Sequence, residues 1–554
     1  MEQPLASKWW GWGALDKEFN LQRRETFWPY LQEKLGLTQL QPTAPPDLHR
    51  IYLPPPAAAL AKDLAQIVTL KNVHQDPLAR ISHAMGKSYL DLIRLRRGLI
   101  ENPPDFVVYP ETEAQVSALL MLAQTLPAAI IPFGGGSSVV GGVEALRTTE
   151  QVAAISLDLR LLNRLLSLDE ISRVATIEAG IRGPLLEQEL QIKGYTLGHY
   201  PQSFEFSSLG GWLATRSVGQ QSSKYGRIED RVVALRLATP QGLINTLSVP
   251  ATATGPSLKD LLIGSEGLYG VITSAKMRLA LKPTTQLYHG LLFKDFLIGA
   301  EAIRNINQAG IRVTTLRLSD EVETEAIMKM RAQSESVVET TLTRAGSWYI
   351  KKRGYTGANC LMILGVEDDE ATARRELRAA LAVCKDNGAI DLGERVGEHW
   401  YRERFNLPYL RDLLLDHGVM IDTLETAISW RDLPQAYEQI KQAIIRGIEN
   451  FHGRPRPLVF CHISHSYPDG ASLYYTFLAR QAKGLELEQW WTVKEAACEA
   501  ILALGATISH HHGVGRDHAR WLSKEKGELA TQVLRQIKQT FDPQGILNPG
   551  KFFA

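Results

Sequence analysis

Cysteine is scarce in this chain: Cys360, Cys384, Cys461 and Cys498 are the only four among 554 residues, and no two stand as C-x-x-C. Thiols so few and so far apart exclude a disulfide or zinc framework and suit reduced side chains. Charge of one sign is lacking too. Lys and Arg number 61 against 60 Asp and Glu, so no global field draws nucleic acid or an anionic surface. No apolar run approaches the roughly 18 residues that would span a bilayer. The N-terminus opens on Glu2 and a polar, tryptophan-rich stretch instead of a basic and then apolar leader. Repeats and low-complexity segments are missing. Met85-Gly86-Lys87-Ser88 imitates the end of a nucleoside-triphosphate loop, but Ile81 stands where that loop needs its first Gly. A cytoplasmic globular protein is expected, long enough for two or three domains at about 100–200 residues each.

What is present is glycine in chosen places. Pro132-Phe133-Gly134-Gly135-Gly136-Ser137-Ser138 follows the apolar Ala128-Ala129-Ile130-Ile131. Three glycines after a strand free the backbone for φ > 0 and bring bare N–H groups, with two hydroxyls, against a phosphate. Alone, the run reads equally as a glycine-rich turn. A second stretch runs Gln202-Ser203-Phe204-Glu205-Phe206-Ser207-Ser208-Leu209-Gly210-Gly211 and continues to Thr215-Arg216-Ser217-Val218. A third, Gly264-Ser265-Glu266-Gly267-Leu268-Tyr269-Gly270-Val271-Ile272, enters a strand. Small residues and hydroxyls suit a backbone lying along a flat cofactor, and three such stretches in this order favour a cofactor over a turn.

Residues 1–95 read as an N-terminal helical arm, with the Trp9, Trp10 and Trp12 cluster packing it onto the body. Residues 96–283 alternate strands, helices and glycine turns as an α+β domain. There, Val107–Pro110 reads as a strand, residues 111–123 as a helix, and Ile155, Leu157 and Leu159 alternate with Ser156 and Asp158 as a strand with one polar face. Residues 284–505 lack the glycine motifs and form a second domain walling a substrate cavity. Arg317, Arg411, His462, His465 and Tyr467 stand out there, although spacing alone makes each arginine a solvated surface charge. Tyr474 and Tyr475 face opposite sides of a strand. Residues 506–554 carry Ser509-His510-His511-His512-Gly513-Val514-Gly515-Arg516. His510 and His512 share a side if the run is extended. With no acidic or Cys partner at ligand spacing, proton transfer or hydrogen bonding to a cofactor is preferred over a metal.

In this order the motifs resemble flavoproteins of the vanillyl-alcohol oxidase / p-cresol methylhydroxylase superfamily, and within it the alkyldihydroxyacetonephosphate synthases. The resemblance runs from Trp9-Trp10-Gly11-Trp12-Gly13 through Leu407-Pro408-Tyr409-Leu410-Arg411-Asp412 to the histidine run, nearly the whole chain. It implies an α+β fold, with a two-subdomain FAD-binding domain and an α+β cap domain, and residues 506–554 returning to the FAD site. It implies FAD held by the three stretches. It also implies Tyr474, His510, His511, His512 and Arg317 in catalysis, and Arg411, His462, Arg317 and Arg516 at the substrate. With no His in the cradle, FAD is expected to be noncovalent. The implied reaction exchanges the acyl chain of acyl-dihydroxyacetone phosphate for a fatty alcohol through an adduct at the flavin N5, without net redox turnover. A lipid or small-molecule substrate, a peripheral membrane contact and a homodimer are the partners implied.

Two departures keep other readings open. Synthases tend to have Cys-Arg-Val-Thr-Gln-Thr-Tyr where this chain has Cys461-His462-Ile463-Ser464-His465-Ser466-Tyr467, and an imidazole clamps phosphate less well than a guanidinium. Leu547-Asn548-Pro549-Gly550-Lys551 also resembles the ending of D-2-hydroxy-acid dehydrogenases and glycolate oxidases. An FAD oxidase or dehydrogenase of a 2-hydroxy acid or alcohol is the alternative, and an inactive flavin-fold binding protein the third. The missing peroxisomal signal fits a bacterial cytoplasmic form.

Overall fold

The structure is a computed structural model that describes residues 7–22, 24–37, 42–57, 60–330, 352, 354–355 and 359–553. Its first sheet holds β1 (Val73–His74), β2 (Phe106–Val108), β3 (Ala128–Phe133) and β4 (Ala153–Asp158) in the order β1-β2-β4-β3. β2, β4 and β3 run parallel, and the short β1 adds antiparallel at the edge. The helix Glu113–Thr125, capped by the Thr112 side chain, carries the chain from β2 to β3, and β4 then inserts between those two strands. The alternation expected of β4 gives no solvent face: Ser156 and Asp158 are as buried as their apolar neighbours. β4 lies between two strands, and Asp158 spends its carboxylate on Arg160 and on His83, 3.0 Å away. Residues 73–74, anticipated in the N-terminal arm, belong to this sheet, and the chain end returns to it: Ile130 donates to Ile546 O and accepts from Asn548 N.

The second sheet is antiparallel, with β5 (Leu165–Asp169), β6 (Val174–Glu178), β8 (Val232–Thr239), β9 (Gly242–Asn245) and β10 (Val271–Arg278) in the order β5-β6-β10-β8-β9. β7 (Tyr195–Thr196) and β11 (Ala280–Leu281) pair beside it. The third sheet has seven strands: β12 (Thr285–Phe293), β13 (Thr315–Ser319), β14 (Cys360–Asp368), β15 (Ile390–Gly393), β16 (Val419–Ser429), β17 (Leu458–Ile463) and β18 (Gly470–Arg480). Their order is β15-β12-β14-β13-β17-β18-β16, every pair antiparallel.

Strand alternation decides what the third sheet does. Leu316, Leu318, Met362, Leu364, Cys461, Ile463, Tyr475 and Phe477 point one way, into a core shared with the helices Phe296–Gln308, Glu370–Asp386, Leu433–Glu449 and Glu486–Ala503. Each large side chain buried there contributes about 1.5–3 kcal/mol. The residues between them, Arg317, Ile363, Phe460, His462, Tyr474 and Thr476, point the other way and line a cavity. No helix among the described residues is long and apolar enough to cross a membrane.

Candidate functional site

The cavity has a volume of about 1960 Å³, well beyond the roughly 300–1,000 Å³ of an ordinary ligand pocket. All of Pro132, Phe133, Gly134, Gly135, Gly136, Ser137 and Ser138 line it. The N–H groups of residues 134–138 donate to no described residue. A Cβ on Gly135 would lie 2.0 Å from Phe206 O, and Gly136 has φ +65°. A row of open N–H groups, on a backbone packed too closely for any side chain, fits a diphosphate.

The second and third stretches divide. Gln202, Ser203, Ser207, Ser208, Thr215, Ser217 and Val218 line the cavity, as do Glu266, Gly267, Gly270, Val271 and Ile272. Phe204, Glu205, Phe206, Arg216, Leu268 and Tyr269 do not. Phe204 stacks on Trp212 and Phe405, Glu205 takes Lys17 and Tyr409, and Phe206 packs on Trp12. Arg216, in the left-handed region at the end of the helix Leu209–Thr215, turns away to the carbonyls of Ile263 and Asp260. Leu268 and Tyr269 belong to the core. Within these stretches Phe204, Glu205, Phe206, Arg216, Leu268 and Tyr269 anchor the backbone, and these serines and glycines, with Gln202, Glu266, Val271 and Ile272, face the cavity.

Across the cavity, Tyr474 on β18 lies opposite His462 of β17 and Glu425 of β16 in the strand registers. Its ring stacks on His462 at 4.8 Å and faces His511 at 6.0 Å. Burial pushes its phenol up to about 12, so near neutrality Tyr474 carries an O–H to donate. Tyr475 points into the core and donates to Tyr437 O.

The histidine run is a tight turn wrapped around the Glu425 carboxylate, not an extended segment. The N–H groups of His510, His511 and His512 and the Ser509 hydroxyl all donate to it. The turn separates His510 from its neighbours: His511 and His512 line the cavity, whereas His510 turns to Tyr467 Oη, 2.7 Å from its Nε2. Burial raises the Glu425 carboxyl, but the imidazoles and loop N–H groups outweigh it and hold the group well below the usual range. Burial keeps all three imidazoles neutral, His510 and His512 lowered to about 3. Glu425, His511 and His512 have ligand atoms within 4.8 Å of one another, an acidic neighbour that sequence spacing did not reveal. Its oxygens are already taken by the loop, so it serves as the loop's anchor. On the far side, Glu266 accepts from Val514 N at 2.6 Å and Gly515 N at 2.7 Å. Burial raises Glu266 to about 7 against those two donors.

Arg24, Arg317, Arg395, Arg402, Arg404 and Arg411 line the cavity, and Arg317 and Arg411 are the two of these that the sequence singled out. Arg317 Nη2 donates to Glu323 at 2.8 Å and lies 3.2 Å from His462 Nδ1, while its buried Nη1 has no partner among the described residues. Arg411 donates to Lys87 O at 2.7 Å and lies 3.4 Å from Asp422 Oδ1, with Nε left unpaired among the described residues. Arg516 does not join them. It pairs with Glu144 at 2.5 Å, outside the cavity lining. His462 is lowered by burial and then by Arg317, more than Glu323 raises it, so the permanent charges at this end are the two guanidinium groups. The lining also has an apolar arm formed by Phe27, Leu31, Leu414 and Leu478, which pack in one cluster, and the same lining includes Ile327, Met328 and the charged Arg24 and Lys329.

Glu425, Glu323 and Asp422 were not anticipated as site residues. For Glu425 and Asp422, both on β16, the signal is strand register, which places an acid beside a tyrosine fifty residues away and which sequence periodicity alone does not give.

Two protein-family models match: an FAD binding domain over residues 104–248 and the C-terminal domain of FAD linked oxidases over residues 282–552. The alkyldihydroxyacetonephosphate synthase of Dictyostelium discoideum is 35% identical over 543 residues, covering 97% of this chain and 87% of that protein. A solved alkyldihydroxyacetonephosphate synthase structure superposes with a TM-score of 0.84 at 31% identity, covering 98% of this chain and 97% of that one. p-Cresol methylhydroxylase shares the fold, with a TM-score of 0.64 at 14% identity over 89% of this chain and 96% of that one.

Proposed function

This chain belongs to the FAD-linked oxidase family, and from that premise we propose that it exchanges the acyl chain of acyl-dihydroxyacetone phosphate for a fatty alcohol. The observation that carries the reading is one cavity with three differently built parts: an open N–H cradle, a polar wall of rings and guanidinium groups, and an apolar arm. A phosphorylated head group and a long chain on one molecule call for the last two together.

FAD held along the cradle supplies the reactive ring nitrogen of the flavin. The rest belongs to the chain's own residues. Arg317 Nη1 and Arg411 Nε offer the head-group anion permanent charge without depending on pH. Tyr474, protonated near neutrality, gives its proton to the departing carboxylate oxygen. The neutral His511 and His512, fixed through their backbone by Glu425, take protons from substrate and from the incoming alcohol. The apolar arm holds the chain and excludes water from the exchange. No cysteine lines the cavity among the described residues, all four being buried elsewhere, and no histidine lies in the cradle, which supports noncovalent FAD.

The test is direct. Purified protein mixed with acyl-dihydroxyacetone phosphate and a fatty alcohol is expected to release fatty acid with one alkyl product per acid. No release over protein-free controls would remove the reading.

A further inference from the structure

We propose that His510 and Tyr467 form a relay that carries protons between His511 in the cavity and the protein surface. His511 lines the cavity, whereas His510 and Tyr467 do not. The histidine turn sets the three groups in line. His511 Nδ1 lies 3.0 Å from His510 Nδ1, and His510 Nε2 lies 2.7 Å from Tyr467 Oη. Both nitrogens of the His510 ring are thus committed, one toward the cavity and one away from it. Tyr467 is partly exposed, beside the exposed Pro468 and Asp469. The charged side chains that act on its phenol are Arg227, Glu229, Asp230 and Glu425, of which Asp230 is exposed. Its main chain is held independently of the hydroxyl, because Tyr467 N donates to Gly470 O and Tyr467 O accepts from Trp430 Nε1. His511 has no second outlet of this kind among the described residues. Glu425 Oε2 is 3.8 Å from its Nδ1, beyond hydrogen-bond reach, and that carboxylate already accepts from the loop.

Three groups so placed move a proton without leaving a charge behind, since each takes one on one side as it gives one on the other. His511 begins with Nδ1 protonated and Nε2 bare. As Nε2 takes a proton in the cavity, Nδ1–H passes to His510 Nδ1, Nε2–H of His510 passes to Tyr467 Oη, and the phenol O–H passes to water. Burial and Arg227 oppose an imidazolium at His511 more than Glu425 favours it, so the proton moves on. The acyl-for-alkyl exchange proposed above, on which the relay's cargo rests, uses both directions. In one half the bond to the acyl oxygen breaks, the oxygen keeps the electron pair and takes the Tyr474 proton, and a proton entering by the relay replaces it. In the other half the alcohol oxygen forms the new bond, and its proton leaves by the same route. The fatty acid then ionises outside the cavity, which accounts for the one proton of the overall reaction. The two directions together return the imidazoles to their starting tautomers.

The experiment separates the relay from the exchange. Histidine-labelled holoprotein is expected to show one ring proton coupled to two imidazole nitrogens, lost in His510→Gln. Tyr467→Phe, which keeps the ring and removes only the hydroxyl, is expected to exchange that proton with water at least about 10-fold more slowly. The same variant is expected to keep its FAD and its KM within a factor of about 3 while kcat falls roughly 10-fold, less than for a lost acid/base group. Imidazole buffer, a mobile proton carrier, is expected to restore that kcat as its concentration rises and to leave wild type unchanged, which a packing defect would not allow. If wild-type protein releases no fatty acid, the exchange reading fails alone, and the ring-proton rate, measured without substrate, decides the relay. Absence of the shared proton, an unchanged rate or wild-type kcat in Tyr467→Phe, or a loss that imidazole does not restore overturns it.

Discussion

Tyr474 and Tyr475 are adjacent in sequence and opposite in role, because a strand sends successive side chains to opposite faces. That much was legible from the residues. Tyr474→Phe is therefore expected to bind FAD normally and to turn over about 10²-fold more slowly. Near-normal turnover, measured at saturating substrate, would move the proton donor elsewhere. His462 was harder to read. In sequence it is an imidazole where an arginine is usual; in the structure it is neutral between Arg317 and Glu323. Glu323 carries the pH dependence. Burial pushes its carboxyl up, but Arg317, followed by His462, brings it down to about 2. A folded value below the unfolded one, near 4.3, adds stability that is complete above the unfolded value and lost as pH falls toward 2. Glu323→Gln is expected to lower unfolding stability by roughly 2–3 kcal/mol at pH 7 and by much less at pH 3. An equal penalty at both pH values in urea unfolding would contradict that account.

At the scale of elements, the cradle and the histidine turn differ in how far the sequence disclosed them. The cradle is local. Glycines after an apolar strand announce it, and the close approach of Phe206 O to Gly135 explains why no side chain can stand there. Gly135→Ala is expected to purify with less than about a tenth of the wild-type FAD content, because a Cβ forces the loop off the Phe206 backbone. Full FAD content, read from the absorbance ratio, would show that the loop yields. The histidine turn depends on a distant partner. Its three N–H groups converge on Glu425, which lies on β16 and faces Tyr474 across the strand pair. Nothing near residues 510–512 in sequence signals that acid. Glu425→Ala leaves several buried donors unpaired at about 1–3 kcal/mol each. A loss of at least about 3 kcal/mol is expected, with turnover falling more than FAD content. A change under about 0.5 kcal/mol would mean the turn is held by other contacts. β4 carries the complementary lesson: its alternation suggested a polar face, but a central strand covered on both sides buries Ser156 and Asp158 too.

For the whole molecule, the three-stretch order disclosed the flavin-binding half, whereas the third sheet was legible only as alternating helices and strands. Its order, β15-β12-β14-β13-β17-β18-β16, is what brings Arg317, His462 and Tyr474 onto one face, and pairing across such separations leaves no local trace. FAD is expected to leave the protein on acid precipitation, since neither cradle histidine nor cavity cysteine is there to bind it covalently; colour retained in the pellet would reveal a link. The central claim is that this cavity exchanges chains without consuming the flavin's oxidised state. The most direct measurement follows the flavin spectrum and fatty-acid release together, anaerobically, with acyl-dihydroxyacetone phosphate plus a fatty alcohol and separately with a 2-hydroxy acid. Fatty acid released over many turnovers with the flavin oxidised at the end is the expected result, and full bleaching by the 2-hydroxy acid with no fatty acid released from the lipid would contradict it.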